Sequence, residues 1–124
     1  MKKMPILVYQ VEKGIVRRAK LNDYIEIIKA ILWFIPEGKV TSYSSIAKML
    51  KVNPKLIGKI LKMNNQPIIY PCHRVVKIDG SIGGYNYFNN SRFKKRLLVF
   101  EGIKILDYVR VCKENIVDIS KIFD

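Results

Sequence analysis

The stretch Ser42-Tyr43-Ser44-Ser45-Ile46-Ala47-Lys48-Met49-Leu50-Lys51-Val52-Asn53-Pro54-Lys55-Leu56-Ile57-Gly58-Lys59-Ile60-Leu61-Lys62 carries two helix-start signals close together. Ser42 is a capping residue type. A helix over residues 43–50 places Ile46, Ala47, Met49 and Leu50 on a buried side. Lys51-Val52 leaves room only for a tight turn. Asn53 then caps again, and Pro54 falls at the first helical position, where its missing N–H costs nothing. The second helix runs to about Met63. Leu56, Ile57, Ile60 and Leu61 form one face, and Lys55, Lys59 and Lys62, four and three apart, line another. Two short helices across a tight turn, the second with a lysine stripe, predict a helix-turn-helix. The same pattern also serves helix pairs that are only core, so the charge distribution has to speak next.

Lysine plus arginine number 23 against 10 acids, a net charge of +13 over 124 residues. That excess predicts affinity for a polyanion. No Asp or Glu occurs between Gly38 and Ile78, yet eight Lys or Arg do, which points to nucleic acid. The length suits one domain with small extensions, and an apolar share of 49 % supports a real core. No apolar run reaches the roughly 18 residues of a membrane span. The N-terminal run reads as a strand and turn rather than a signal peptide. Two cysteines in unlike contexts, Cys72 and Cys112, give no disulfide framework, and a reducing, cytoplasmic compartment fits. One histidine and two cysteines do not supply the four ligands of a structural zinc site, so no metal is expected.

Outward from the central stretch, residues 6–19 read as a hairpin that turns at Glu12-Lys13-Gly14. Asn22 is the expected cap of a helix to about Phe34, with Tyr24, Ile25, Ile27, Ile28, Ile31 and Leu32 on its buried face and Trp33 and Phe34 read as core. Residues 80–90 form a glycine-, asparagine- and tyrosine-rich loop without the Lys-Ser/Thr ending of a phosphate loop. A helix over 92–100 closes at Glu101-Gly102, with Phe93, Leu97 and Leu98 inward. A final strand near 103–111 and a short amphipathic tail with Ile116, Val117, Ile119, Ile122 and Phe123 follow.

The single histidine stands directly after a cysteine, in Pro71-Cys72-His73-Arg74-Val75. A thiol reacts as its thiolate, and a base, cation or helix N-terminus nearby activates it. Adjacency is not contact, because neighbouring side chains on an extended backbone point to opposite faces. A turn or a bridging water is needed. A third group should orient the imidazole, usually a carboxylate, and Asp79 and Glu101 are both available downstream. Cys112 lies in a probable strand with no histidine beside it in sequence and reads as inert.

Pro71-Cys72-His73-Arg74-Val75 resembles the active-site motif of the O6-alkylguanine-DNA alkyltransferases. Ile35-Pro36-x-Gly38-x-Val40-x-Ser42-Tyr43 resembles the family segment that opens its helix-turn-helix. Asn64 lies eight residues before the cysteine, like the family's hinge asparagine. Gly80-x-x-Gly83-Gly84-Tyr85 resembles its active-site loop, and Lys95, Leu97-Leu98 and Glu101-Gly102 its closing helix. The resemblance covers about residues 22–105. It implies a mainly α fold of the α+β class, a winged helix-turn-helix-like DNA-binding domain with a small N-terminal β-hairpin and a short C-terminal extension. The implied division is 1–21 residual N-terminal segment, 22–105 catalytic and DNA-binding domain, and 106–124 extension.

The resemblance also implies a reaction. An alkylated guanine is flipped from the duplex into a pocket, and Cys72 takes the alkyl group irreversibly, once per chain. His73 would receive the thiol proton through a water, Glu101 would orient His73, Tyr43 would donate toward guanine N3, and Asn64 would brace the turn before Cys72. The implied substrate-binding set is Val75, Tyr85, Asn86, Leu61 and Pro71. The implied DNA-binding set is Lys55, Lys59, Lys62, Arg74, Ser42 and Tyr43, docking in the minor groove. No cofactor is expected. The partner is double-stranded DNA containing O6-alkylguanine, engaged by a monomer without membrane attachment.

The sequence departs from the family pattern in three places. Lys55 stands where an arginine is usual, and lysine lacks the planar stacking surface. Tyr87 follows Asn86 where glycine is usual, in a loop about two residues longer than usual. Only about 20 residues precede the matching helix. Two rival readings follow: a non-catalytic relative that binds lesions and recruits repair factors, and a winged helix-turn-helix regulator.

Overall fold

The computed structural model describes residues 6–66, 68–82, 91–106 and 109–121. Four α-helices and three two-stranded sheets are seen among the described residues, an α+β architecture dominated by helix. The helix-turn-helix is at its centre. Helix α2, Tyr43–Leu50, is capped by the Ser42 hydroxyl, which accepts from the Ser45 N–H at 3.0 Å. The turn passes through Lys51 in the left-handed region, φ 56°. Helix α3, Pro54–Lys62, begins with Pro54 behind Asn53, whose Oδ1 accepts from the Lys55 N–H at 2.9 Å. Ile46, Ala47, Leu50, Ile57, Ile60 and Leu61 are buried between the two helices and the rest of the core, while Lys55, Lys59 and Lys62 are exposed. Each such aliphatic side chain contributes roughly 1.5–3 kcal/mol on burial, far more than helices this short gain from propensity.

The N-terminal hairpin pairs β1, Leu7–Gln10, with β2, Ile15–Arg18, in antiparallel register. Helix α1, Leu21–Phe34, follows it. Its cap is not Asn22. The helix starts one residue before it, and the Asp23 carboxylate accepts from the Lys20 N–H at 2.7 Å. Asp23 also takes two hydrogen bonds from Arg17 of β2, so one carboxylate closes the helix end and ties it to the hairpin. Tyr24, Ile28, Ile31 and Leu32 of α1 are buried against α2 and α3. Trp33 and Phe34, read as core, are instead 62 % and 57 % exposed. The apolar stripe of α1 has rotated past them by the last turn, and Ile35 takes the buried place.

The strands nearest the helix-turn-helix are two residues long. β3, Thr41–Ser42, pairs in parallel with β4, Val75–Val76. This pairing sets the start of α2 beside the segment that contains Cys72. Helix α4, Ser91–Phe100, lies across it, with Lys94 and Leu98 buried. β5, Ile105–Leu106, and β6, Arg110–Val111, make a last antiparallel pair. The final strand is shorter than the sequence suggests.

In the tail, Ile116 and Val117 are half-buried and Ile119 is buried, while Ile122 and Phe123 lie outside the described residues. The tail forms short 3-10 turns at Lys113–Asn115 and Ile119–Lys121. It clasps β3: Val40 N–H donates to the Asn115 carbonyl at 2.8 Å, Val117 N–H to the Val40 carbonyl at 2.7 Å, and the Thr41 hydroxyl to the Val117 carbonyl at 2.6 Å. Ile119 is 1 % exposed, inside the core. Between them, Gly80 turns with φ +88°, and a Cβ there would meet the Val111 carbonyl at 3.0 Å. No described helix is long and apolar enough to cross a membrane.

Candidate active site

Cys72, His73 and Arg74 form one 3-10 turn, Cys72–Arg74, at the entry to β4. The turn answers the problem of adjacent side chains on an extended chain. Its curvature sends His73 inward to Glu101, while Cys72 stays in the core wall at 7 % exposure. Arg74 N–H donates to the Pro71 carbonyl at 3.0 Å and Val75 N–H to the Cys72 carbonyl, closing the turn, and Cys72 N–H donates to the Tyr70 carbonyl at 2.7 Å just before it. Asn64, 7 % exposed at the end of α3, bridges the approach. Its Nδ2 donates to the Tyr70 carbonyl at 2.9 Å, and its Oδ1 accepts from the Gln66 N–H at 3.0 Å.

Of the two carboxylates left open by the sequence, the structure brings Glu101 to the histidine. His73 Nε2 lies 3.0 Å from Glu101 Oε1, and the ring is 2 % exposed. Asp79 is exposed, and its Oδ1 accepts from the Ser81 N–H. A carboxylate can only accept, so Nε2 carries the hydrogen and Nδ1 keeps a lone pair. Nδ1 is buried and has no partner among the described residues. Burial lowers the His73 pKa, and the Glu101 charge opposes this without cancelling it, so the ring is neutral at pH 7. Burial alone would raise Glu101, but the hydrogen bonds from Arg74 and the neighbouring positive charge outweigh it and hold the carboxyl below its ordinary value.

Arg74, expected on DNA, is instead committed inward. Its guanidinium grips both Glu101 oxygens, with Nε 3.0 Å from Oε1 and 3.2 Å from Oε2 and a short contact from Nη2 to Oε2, while Nη1 donates to the Ile35 carbonyl at 2.8 Å. Ser42, also expected on DNA, is 3 % exposed, and its hydroxyl is used in capping α2 and in a 2.8 Å bond to the Ser45 hydroxyl. For both residues, sequence shows a polar side chain but not which way the turn carrying it faces.

Tyr43 opens α2 next to this turn. Burial, and next the nearby Cys72 side chain, raises its pKa, so the phenol stays a proton donor. Pro71 and Val75 are buried beside Cys72. Leu61 is buried and lines a cavity of about 150 Å³ between α1 and α3, whose lining includes neither Cys72 nor Tyr43. Tyr85, Asn86 and Tyr87, with the Gly83-Gly84 pair, lie outside the described residues.

Sequence reasoning passed over Lys94, the neighbour of the Lys95 it singled out. Lys94 is 1 % exposed, its Nζ donates to the Val75 carbonyl at 2.7 Å, and it sits 5.8 Å from the Tyr43 ring centroid. Burial lowers its pKa to about 8, with the nearby Cys72 side chain opposing the shift. The available signal was helical phase. Lys94 is four residues before the inward Leu98 and therefore shares its face. A buried cation, a phenol, and a thiol with its neighbouring oriented imidazole are thus contributed by three separate segments, α4, α2 and the 3-10 turn.

The model of the DNA-binding domain of 6-O-methylguanine DNA methyltransferase matches residues 24–103. A methylated-DNA–protein-cysteine methyltransferase of Pyrobaculum aerophilum is 38 % identical over 111 residues, which is 82 % of this chain and 74 % of the relative. Among solved structures, the O6-methylguanine-DNA methyltransferase of Pyrococcus kodakaraensis is 37 % identical with a TM-score of 0.59, covering 64 % of this chain and 46 % of that one. The Mycobacterium tuberculosis OGT in complex with DNA gives 27 % identity and a TM-score of 0.60 over 86 % of this chain and 58 % of that one. The chain therefore spans about half the length of the solved enzymes it matches. With the cysteine–histidine turn, the helix-turn-helix and the matched span in agreement, the chain belongs to the 6-O-methylguanine DNA methyltransferase family.

Proposed function

We propose that this chain repairs DNA by direct reversal, transferring the alkyl group of O6-alkylguanine in duplex DNA to its own Cys72. The observation that carries the reading is the His73 ring, one residue from the thiol, with Nε2–H committed to Glu101 and Nδ1 buried without a partner among the described residues. That tautomer is the one a general base needs. Nδ1 accepts the thiol proton through a water. The sulfur attacks the alkyl carbon as the carbon–O6 bond breaks, and Tyr43 gives its phenolic proton to guanine N3, so the base leaves neutral. The thioether is not reversed, and each chain acts once.

The cysteine is walled into the core, so the base must come to it. Flipping costs a few kcal/mol. The Cys72 and Val75 carbonyls, each holding one hydrogen bond in this structure, keep a second lone pair for the exocyclic amine of the base. Tyr85 and Asn86 complete the pocket in this reading. Lys55, exposed at the start of α3, enters the gap left in the duplex. Lys59 and Lys62 on the same helix contact phosphates from the minor groove, where a degenerate code suits a protein that must ignore sequence.

The test is the mass of the intact protein after mixing with an oligonucleotide containing O6-methylguanine. The expected result is a gain of one CH2 unit per chain, located on the peptide containing Cys72 and absent in Cys72→Ser, which still binds the duplex. Tight lesion binding with no gain in mass would sink the transfer reading and leave a non-catalytic lesion binder.

A further inference from the structure

Trp33 is the only tryptophan in the chain and is 62 % exposed at the end of α1. It is nevertheless held. Its Nε1–H donates to the Ile69 carbonyl at 2.7 Å, and its ring stacks on Tyr70 with centroids 5.2 Å apart and planes 13° from parallel. Lys29, one turn earlier on α1, places its ammonium 5.0 Å from the centroid of the same tyrosine ring. Ile69 and Tyr70 lead directly into the reactive turn. The Tyr70 carbonyl accepts from both Asn64 Nδ2 and the Cys72 N–H. Just upstream, Ile68 has φ +73°, a conformation a β-branched side chain adopts only when its surroundings impose it. The strap before Cys72 is thus strained, exposed at Ile68 and Ile69, and pinned to α1 by one aromatic side chain.

We infer that Trp33 is a positioning residue: through its bond to Ile69 and its stack on Tyr70 it fixes the strap at 68–71 and so seats the Cys72 sulfur for attack. Trp33 acts on the thiol through the strap, by way of Ile69 and Tyr70. The inference rests on the reading of Cys72 as the alkyl acceptor. Misplacing a reacting atom by about 1 Å costs roughly a hundredfold in rate, so a smaller relaxation of the strap predicts about a tenfold loss.

Two variants of the full chain separate the parts of the clamp. Trp33→Leu removes ring and donor, and Trp33→Phe keeps a ring. Two rates are measured: methyl transfer from saturating O6-methylguanine duplex in a single turnover, and iodoacetamide labelling mapped separately to Cys72 and Cys112. Trp33→Leu is expected to transfer about tenfold more slowly with duplex Kd within twofold of the unaltered chain. Its labelling rate should change severalfold at Cys72 and stay constant at Cys112, and Trp33→Phe should recover most of both losses. Unaltered rates in Trp33→Leu, or equal changes at Cys72 and Cys112 from general loosening, would overturn the inference. Labelling needs no DNA, so an unaltered chain that never takes a methyl group would refute the repair reading while the labelling comparison still decides the clamp.

Discussion

The inner turn at residues 72–74 and the outer face of α3 use charge in opposite ways. Around the turn, His73, Arg74, Glu101 and Lys94 are buried or half-buried, and each has a defined partner. On α3, Lys55, Lys59 and Lys62 stand in solvent in a part of the chain without acids. Buried charge is costly and therefore geometrically specific, whereas exposed charge is cheap and tolerant of where its counter-ion sits. In the proposed function the difference separates chemistry from affinity: the first region would orient the reacting groups and the second would attract phosphate.

The strongest way to break that separation is Glu101→Gln. The amide removes the anion that fixes the His73 tautomer and neutralises Arg74. Transfer should slow by about a hundredfold or more, while duplex affinity stays near that of the unaltered chain. A parallel fall of rate and affinity, read by rapid quench and by fluorescence anisotropy, would merge the two regions into one. Next in size is Lys59→Gln with Lys62→Gln. The slope of log K against log salt should become shallower by about 2, near 0.9 for each lost phosphate contact. The single-turnover rate at saturating DNA should hold, and an unchanged slope in a salt titration would remove these lysines from the interface.

Acid titration probes the inner region directly, because His73 and Glu101 both have folded pKa values shifted from their ordinary ones. The His73 pKa is depressed in the fold from 6.5, so below that pH the unfolded chain takes up a proton the native state refuses, and stability falls. Glu101 is likewise depressed from 4.5, so its contribution is present above that pH and is lost as pH drops through its folded value. The melting temperature should begin to decline below about pH 6.5 and fall faster below about 4.5. The lower part of that decline should shrink in Glu101→Gln, and identical curves for the two chains would contradict the linkage.

Smaller effects test the frame of the turn. Gly80→Ala, at a positive φ with the Val111 carbonyl 3.0 Å from the new Cβ, should cost about 1–3 kcal/mol in urea unfolding. Lys94→Met loses one hydrogen bond but also a buried charge, so stability should move by no more than about 1 kcal/mol in either direction. A larger loss would mean that Lys94 braces the fold rather than tuning the site.

The two helices at 43–62 were readable from local signals alone, because Ser42, Asn53 and Pro54 act on neighbouring backbone and the apolar spacing repeats within each helix. The hairpin was readable for the same reason. The lysine stripe needed only the period of an α-helix. What was not legible has a different origin. Trp33 was assigned to the core because it is large and apolar, yet its partner is a carbonyl 36 residues away. The tail's apolar spacing was legible, but not that its backbone is taken by Val40 and Thr41, more than seventy residues earlier. For Arg74 and Ser42, composition could not reveal the intramolecular contacts that each makes.

By itself the sequence determined the helix-turn-helix, the polyanion-seeking charge and the Cys-His pair, since capping, periodicity and net charge are set by near neighbours or by counting. The tertiary structure alone decided that Glu101 rather than Asp79 meets His73, that Lys94 is buried between Val75 and Tyr43, and that α1 reaches over to hold Tyr70. Those contacts depend on the two-residue parallel pairing of β3 with β4 and on the crossing of α4. Pairings between distant segments are won by the packing of the whole core, which no local stretch of residues encodes.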